Sequence, residues 1–363
     1  MDKKIITLRK TRLPNAEKIY PYLIKIDNNQ TYSNRGPVVC ELEERFEQLY
    51  SLQRGNVTVV NNGTAALAIG LMASGAMPGQ LCILPSYTFV GTAVAVIMAG
   101  LKPYFVDVDL DTWMITPEIA YEALNKSTEK VFSVVPVSFF GLPIDEHEWD
   151  TFSEKTGLKV VYDAAWCFDS PPIGNDSVTI ISLHASKAFG IGEGGLILSE
   201  NSEYINKAIS LANFGYDKGR IDYAGINGKL SEYAAAVAHA SLDEWPELRS
   251  KTVELQKLYL KYLPNQNGYE INKNQTDEFI WSSLPIKSNN ALKISRIFEE
   301  NDIETRFWWG NPCHKHKAFS NYPKRDLNIT QLLSSSILNL PFWPDMAEDD
   351  VIKVTKTLSL SLS

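Results

Sequence analysis

The chain has 363 residues, 44% of them apolar and 21% charged, with a formal net charge of -8. That is enough apolar material for two buried cores, and an acidic balance without a basic run excludes a nucleic-acid footprint. Four scattered cysteines (Cys40, Cys82, Cys167, Cys313) read as reduced thiols, and His314 and His316 lack further ligands nearby, so no metal site is expected. The opening Met1-Asp2-Lys3-Lys4-Ile5-Ile6 has no secretory leader pattern, and the apolar run Val90 to Leu101 is too short for a bilayer. The expectation is a cytoplasmic protein with no membrane or nucleic-acid partner.

From residue 56 onward, short β-rich runs alternate with helical ones. Val57-Val60 predicts a strand and Thr64-Ala73 a helix. Leu81-Leu84 and Tyr104-Val108 predict strands on either side of a helix over Thr88-Ala99. Val131-Val137 and Lys159-Tyr162 continue the strands, with a helix around Asp145-Thr156 between them. Continuous apolar runs of this kind belong to parallel strands covered by helices on both faces. After Asp163 the rhythm changes. Val178-Leu183 and Leu196-Leu198 predict strands joined by a glycine-rich turn, and a long helix follows over Ser231 to Leu260. The remainder is mixed, with Glu278-Pro285 strand-like and Asn290-Asn301 helical. The expected architecture is α/β: a large, mostly parallel-sheet domain over residues 1–245 and a smaller C-terminal α+β domain over 246–363.

Ligands of open α/β sheets bind beyond the carboxyl ends of the strands, and four features fall there. Asn61-Asn62-Gly63-Thr64-Ala65 joins a strand to a helix, and helix N–H groups with the Thr64 hydroxyl suit an anion. Taken alone, the same segment reads better as a plain helix cap. Asp163 ends a strand and can pair with a protonated ring nitrogen, or simply form a cap or salt bridge. Lys187 follows Ser182-Leu183-His184-Ala185-Ser186; most lysines are solvated, but one desolvated after a buried strand becomes a nucleophile and base. Gly190-Ile191-Gly192-Glu193-Gly194-Gly195 matches a dinucleotide fingerprint formally, yet a strand follows it where that motif requires a helix.

In this order — anion turn, strand-end aspartate, lysine in a glycine-rich turn — the features resemble fold-type-I enzymes of pyridoxal 5′-phosphate. The sequence resembles the DegT/DnrJ/EryC1/StrS family of sugar-nucleotide aminotransferases over nearly its whole length. The resemblance rests on Ser33-Asn34-Arg35-Gly36-Pro37, Asn62-Gly63-Thr64-Ala65-Ala66-Leu67, Leu84-Pro85-Ser86-Tyr87-Thr88-Phe89-Val90-Gly91-Thr92 and Lys102-Pro103-Tyr104-Phe105-Val106-Asp107-Val108-Asp109. The most specific stretch is His184-Ala185-Ser186-Lys187 leading into Gly192-Glu193-Gly194-Gly195. Gly225-Ile226-Asn227-Gly228-Lys229, Glu304-Thr305-Arg306 and Leu340-Pro341-Phe342-Trp343-Pro344 complete it.

By that resemblance, Lys187 is the Schiff-base lysine and Asp163 the partner of the pyridine nitrogen. Thr64, Ala65 and Ser182 hold the phosphate, with Asn227 of the other subunit of a homodimer, and Phe89 stacks on the cofactor ring. The implied reaction moves an amino group from L-glutamate to a keto sugar, a 4-keto-6-deoxy sugar by expectation, on a nucleoside diphosphate. Its implied setting is deoxysugar supply such as lipopolysaccharide O-antigen biosynthesis. Lys229 and His314 fall near the implied substrate site. Three positions depart from the family pattern. Trp166 stands where Gln or His is usual, Ile226 and Lys229 replace Tyr and Arg, and Phe307-Trp308-Trp309-Gly310 differs from the usual run. Trp166 can donate one hydrogen bond through Nε1 to the cofactor or merely pack behind it. Two further functions stay open at this level. A sugar dehydratase on the same fold is opposed by Lys187, since such relatives carry histidine there; the other is a non-catalytic regulator.

Overall fold

The computed structural model describes residues 5–276 and 278–362; Met1–Lys4, part of the stretch read above as leaderless, lie outside them. Helices α1 (Ala16–Asn29) and α2 (Pro37–Leu49) come first. Asn15 caps α1 through the Lys18 N–H, and Pro37 opens α2 where no N–H is needed. The alternation then runs β1 (Val57–Val60), α3 (Gly63–Ala73), β2 (Leu81–Pro85), α4 (Val90–Met98), β3 (Lys102–Val106) and α5 (Pro117–Asn125). It continues with β4 (Val131–Val134), α6 (Glu146–Thr156), β5 (Lys159–Asp163), β6 (Ser177–Ser182), β7 (Gly195–Leu198) and α7 (Ser202–Ala212).

These strands form one sheet in the order β1-β7-β6-β5-β4-β2-β3. Only β7 runs against its neighbours. The carboxyl ends of β1, β2, β5 and β6 therefore open on the same edge. Side chains alternate between two cores: Cys82, Leu84, Phe105 and Val161 face one, and Ile83, Tyr104, Val106 and Val160 the other. Helix α3 is apolar on every side, and most of it is buried.

A short hairpin, β8 (Tyr216–Asp217) and β9 (Arg220–Ile221), precedes the long α8 (Glu232–Tyr262), which runs unbroken through Pro246. The C-terminal part contains β10 (Glu270–Ile271), β11 (Leu284–Lys287), α9 (Ala291–Glu300), α10 (Asn328–Ser336), β12 (Ile337–Leu340) and α11 (Glu348–Ser361). Its sheet is antiparallel, β10-β11-β12. The strand expected over Glu278-Pro285 is shorter than predicted, because only Leu284 onward enters a ladder. Upstream of it, glutamine side chains replace a partner strand. Gln256 accepts from the Trp281 N–H and donates to the Phe279 carbonyl, and Gln275 donates to the Ser283 carbonyl.

Two segments cross between the parts. Ile6 bridges to Ile303, and the Leu8 N–H donates to Glu304, so the first described residues pack on the C-terminal part. In return, Cys313 donates its N–H to the Ser86 carbonyl, and Arg325 to that of Phe105. These crossings bring Arg9 and His314 to the strand ends.

Candidate active site

Lys187 is held by a backbone cross-link that the glycine run permits. The N–H of Leu183 donates to Gly194, that of Ala185 to Gly192, and that of Ile191 to Leu183. A Cβ on Gly190 would come within 3.0 Å of the Ala185 Cα and carbonyl oxygen, so only glycine lets these backbones meet. Strand β7 follows at once, as expected, which removes the dinucleotide reading. The Lys187 Nζ lies 3.6 Å from the centroid of the Trp166 ring. Burial pushes its pKa well below lysine's usual value; the Asp163 carboxylate opposes that shift, and the Arg9 guanidinium adds to it. The shift favours the neutral amine, which is the nucleophilic form.

Asp163 ends β5 and is 8% exposed. Its Oδ2 accepts from the Thr92 hydroxyl at 2.7 Å, Thr92 is linked to Thr88 at 2.8 Å, and Oδ1 accepts from the Ala165 N–H at 3.2 Å. Burial raises its pKa, while the Thr92 hydrogen bond and the Lys187 charge pull it back. A buried acid with two donors and a cation in reach is suited to holding a proton on a ring nitrogen.

The anion turn is tightly built. A Cβ on Gly63 would meet the Ser182 Cβ at 2.9 Å and Oγ at 3.0 Å, so the first turn of α3 lies directly on the end of β6. A Cβ on Gly91 would come 2.9 Å from the Phe89 ring and 3.3 Å from the Thr64 Oγ1, which places α4 and Phe89 beside the same turn. No hydrogen bond engages the Thr64 hydroxyl among the described residues, whereas the Ala65 N–H is taken by Asn62 Oδ1 at 2.8 Å. Ala65 therefore shows the cap geometry, and Thr64 and Ser182 are the open donors. Phe89 is 57% exposed, which leaves much of its ring uncovered.

The remaining predicted residues divide. His314 reaches the site's edge: its Nδ1 is 2.7 Å from the Ser86 Oγ, just past β2. Burial, then Lys315 and Lys324, lower its pKa. Asn227 is exposed and sits beside Asn61, which donates to its carbonyl at 3.3 Å. Lys229 is turned to Asn213 Oδ1 at 2.9 Å and lies over the Phe214 ring, so its ammonium is engaged there. Trp166 offers a ring face to Lys187, with the Phe140 and Trp308 rings 5.3 and 6.5 Å away, edge-on. Phe140 (φ 49°) and Trp309 (φ 58°) both take left-handed backbones and stack on each other at 4.7 Å, closing an aromatic wall. The sequence had assigned no role to Thr92 or Arg9. Thr92 lay inside a recognised motif, while nothing local marked Arg9.

A buried strand-end acid, an amine of lowered pKa and open donors at a helix start together fit pyridoxal 5′-phosphate. The profile of the DegT/DnrJ/EryC1/StrS aminotransferase family matches residues 15–359. The chain belongs to that family. This makes it a pyridoxal-phosphate-dependent aminotransferase. It is 28% identical to a dTDP-4-amino-4,6-dideoxy-D-glucose transaminase of Shigella dysenteriae over 368 residues, covering 98% of each chain. A transaminase of the same name from Escherichia coli is 29% identical, covering 99% of each. Among solved structures, a Bacillus cereus protein provisionally named a PLP-dependent aminotransferase superposes with a TM-score of 0.90. It is 28% identical, with 98% of this chain and 100% of that one covered. DesI, determined in the presence of its TDP-sugar product, gives 0.86 at 26% identity, with 99% and 93% covered. These superpositions and the mostly parallel seven-stranded sheet place this aminotransferase in the α/β fold expected for it. Among the described residues no helix is long and apolar enough to cross a membrane, and no group of acids, histidines and cysteines could hold a metal ion.

Proposed function

We propose that the protein transfers the amino group of L-glutamate to the C4 ketone of a dTDP-linked 4-keto-6-deoxy sugar. The observation that carries this is Lys187, a lysine of lowered pKa on the Trp166 face with Asp163 in electrostatic reach. The names of the Shigella and Escherichia relatives support the nucleotide and the position. When bound, pyridoxal phosphate supplies a ring that withdraws electrons from the carbon bearing the amino group. Lys187 would hold it covalently, Thr64 and Ser182 would donate to its phosphate, Phe89 would cover its ring, and Asp163 would keep a proton on its nitrogen. Once the donor's amine has taken the place of the lysine, Lys187 Nζ is free to take the proton from the donor's Cα and later to deliver one to the sugar carbon that was the ketone. Trp166 and the aromatic wall behind it exclude water from that amine.

The same reading includes a homodimer in which Asn227 serves the partner's phosphate site, and a cytoplasmic enzyme of deoxysugar supply, with O-antigen assembly as one outlet. His314, at the site's edge, faces the sugar. The division into two domains falls at residues 245 and 246, within α8. Incubation with L-glutamate and dTDP-4-keto-6-deoxy-D-glucose, followed by mass spectrometry, tests the reaction. The expected product is a dTDP-amino sugar together with 2-oxoglutarate. Turnover with other keto sugars but not this one would overturn the substrate assignment.

A further inference from the structure

Arg9 has no role in the chemistry above, yet its guanidinium carbon lies 4.8 Å from the centroid of the Trp166 ring, the ring that also carries Lys187. Burial pushes its pKa down to about 10, so it stays charged at neutral pH, and that charge is felt at Lys187. Among the described residues no carboxylate pairs with Arg9 and no hydrogen bond engages its guanidinium. Arg35, Arg45 and Arg249, by contrast, each hold an acid. Arg9 is only part-buried, with its guanidinium against the indole face and its N–H groups still accessible, so they are open to an arriving anion.

We infer that Arg9 receives the α-carboxylate of the amino donor and holds it beside Lys187. The inference rests on the aminotransferase reading and deepens it. The donor's reacting amine and its carboxylate share one carbon, so the group that binds the carboxylate must lie close to the lysine that handles that carbon's proton. Arg9 and Lys187 lie 4.8 and 3.6 Å from the same Trp166 centroid, and the Arg9 charge is felt at Lys187, so the two groups are neighbours. The guanidinium fork matches a carboxylate through two parallel hydrogen bonds. The cofactor phosphate has separate donors at Thr64 and Ser182, which leaves Arg9 unclaimed. A nucleotide diphosphate is the other anion that could use a guanidinium, and the test separates the two.

The cofactor-loaded protein is titrated calorimetrically with succinate, an unreactive dicarboxylate, and separately with dTDP. Arg9→Gln should weaken succinate by about ten-fold or more, with Arg9→Lys in between and dTDP unchanged. Because no ion pair or hydrogen bond of the guanidinium is lost among the described residues, Arg9→Gln should melt close to the wild-type temperature, which keeps misfolding from imitating the result. Unchanged succinate binding overturns the proposal. Loss of dTDP binding in place of succinate binding also overturns it and assigns Arg9 to the diphosphate. If succinate binds and responds to Arg9→Gln but L-glutamate donates no amino group, the carboxylate site stands and the choice of glutamate as donor falls.

Discussion

Gly63→Ala isolates the contact on which the anion turn depends. The added Cβ would sit 2.9 Å from the Ser182 Cβ, 3.0 Å from Oγ and 3.3 Å from Cα. Carbon contacts are comfortable near 3.5–4.0 Å, so the shortfall is about half an ångström or more. A rotamer change can move Oγ away but not Cβ or Cα, so the backbone of α3 or of β6 must shift. Overpacking of this kind costs about 1–3 kcal/mol, and exchanging glycine for alanine in a helix returns up to about 1. The net loss of stability is therefore about 0–3 kcal/mol. The effect on the site is distinct from it, because Thr64 and Ser182 are pushed apart. Losing or stretching one charge-assisted hydrogen bond to the phosphate, worth about 1.5–3 kcal/mol, weakens cofactor binding by about ten- to a hundred-fold. Gly70→Ala, in the same helix, is the control. Its Cβ meets only the side-chain ends of Ile180 (3.0 Å) and Val178 (3.1 Å) and should leave cofactor affinity unchanged. Melting of the apoprotein and absorbance titration with the cofactor measure both quantities. Wild-type cofactor affinity in Gly63→Ala would refute the reasoning, as would equal losses in the two variants.

Lys187→Ala should abolish borohydride-fixed cofactor and turnover, whereas fixation at another lysine would displace it from its role. Thr92→Val removes the 2.7 Å hydrogen bond to Asp163 and should raise that carboxyl's pKa further, moving the acid limb of the rate profile upward. Thr92→Ser should restore it, and an unmoved limb in Thr92→Val would deny the coupling. Since burial and Arg9 lower the Lys187 pKa while Asp163 raises it, capture of cofactor by the apoprotein should reach half its plateau rate well below pH 10.5. Asp163→Asn should shift that midpoint down and Arg9→Gln should shift it up; reversed signs would contradict the electrostatic picture. Mixing Lys187→Ala with Asn227→Ala protomers should regain activity if Asn227 acts across the dimer, because one of the two sites is then intact. No recovery after verified exchange would place Asn227 in its own subunit's site.

The sequence by itself determined the parts whose signals are local. Buried strands such as Val57–Val60 and Lys159–Asp163 are written as apolar runs, because helices cover both faces of the sheet. The positions of Asp163 at the end of β5 and Lys187 past β6 were legible because ligands of such sheets bind beyond strand ends, whereas the approach of two backbones at Gly190 came from the fold. The strand at Glu278-Pro285 was overread, since β-like residues there are satisfied by Gln256 and Gln275 rather than by a partner strand. At Ala65 the cap by Asn62 prevailed over the open donor, because a side chain one turn away competes directly for the same N–H. Only the tertiary structure decided what comes from far along the chain. His314 reaches Ser86 because residues 313–325 return to the large sheet, and Arg9 reaches Trp166 because the first described residues pack on the C-terminal part. Contacts spanning more than a hundred residues leave no periodicity or spacing in the sequence, so the charge beside Lys187 exists only in the folded molecule.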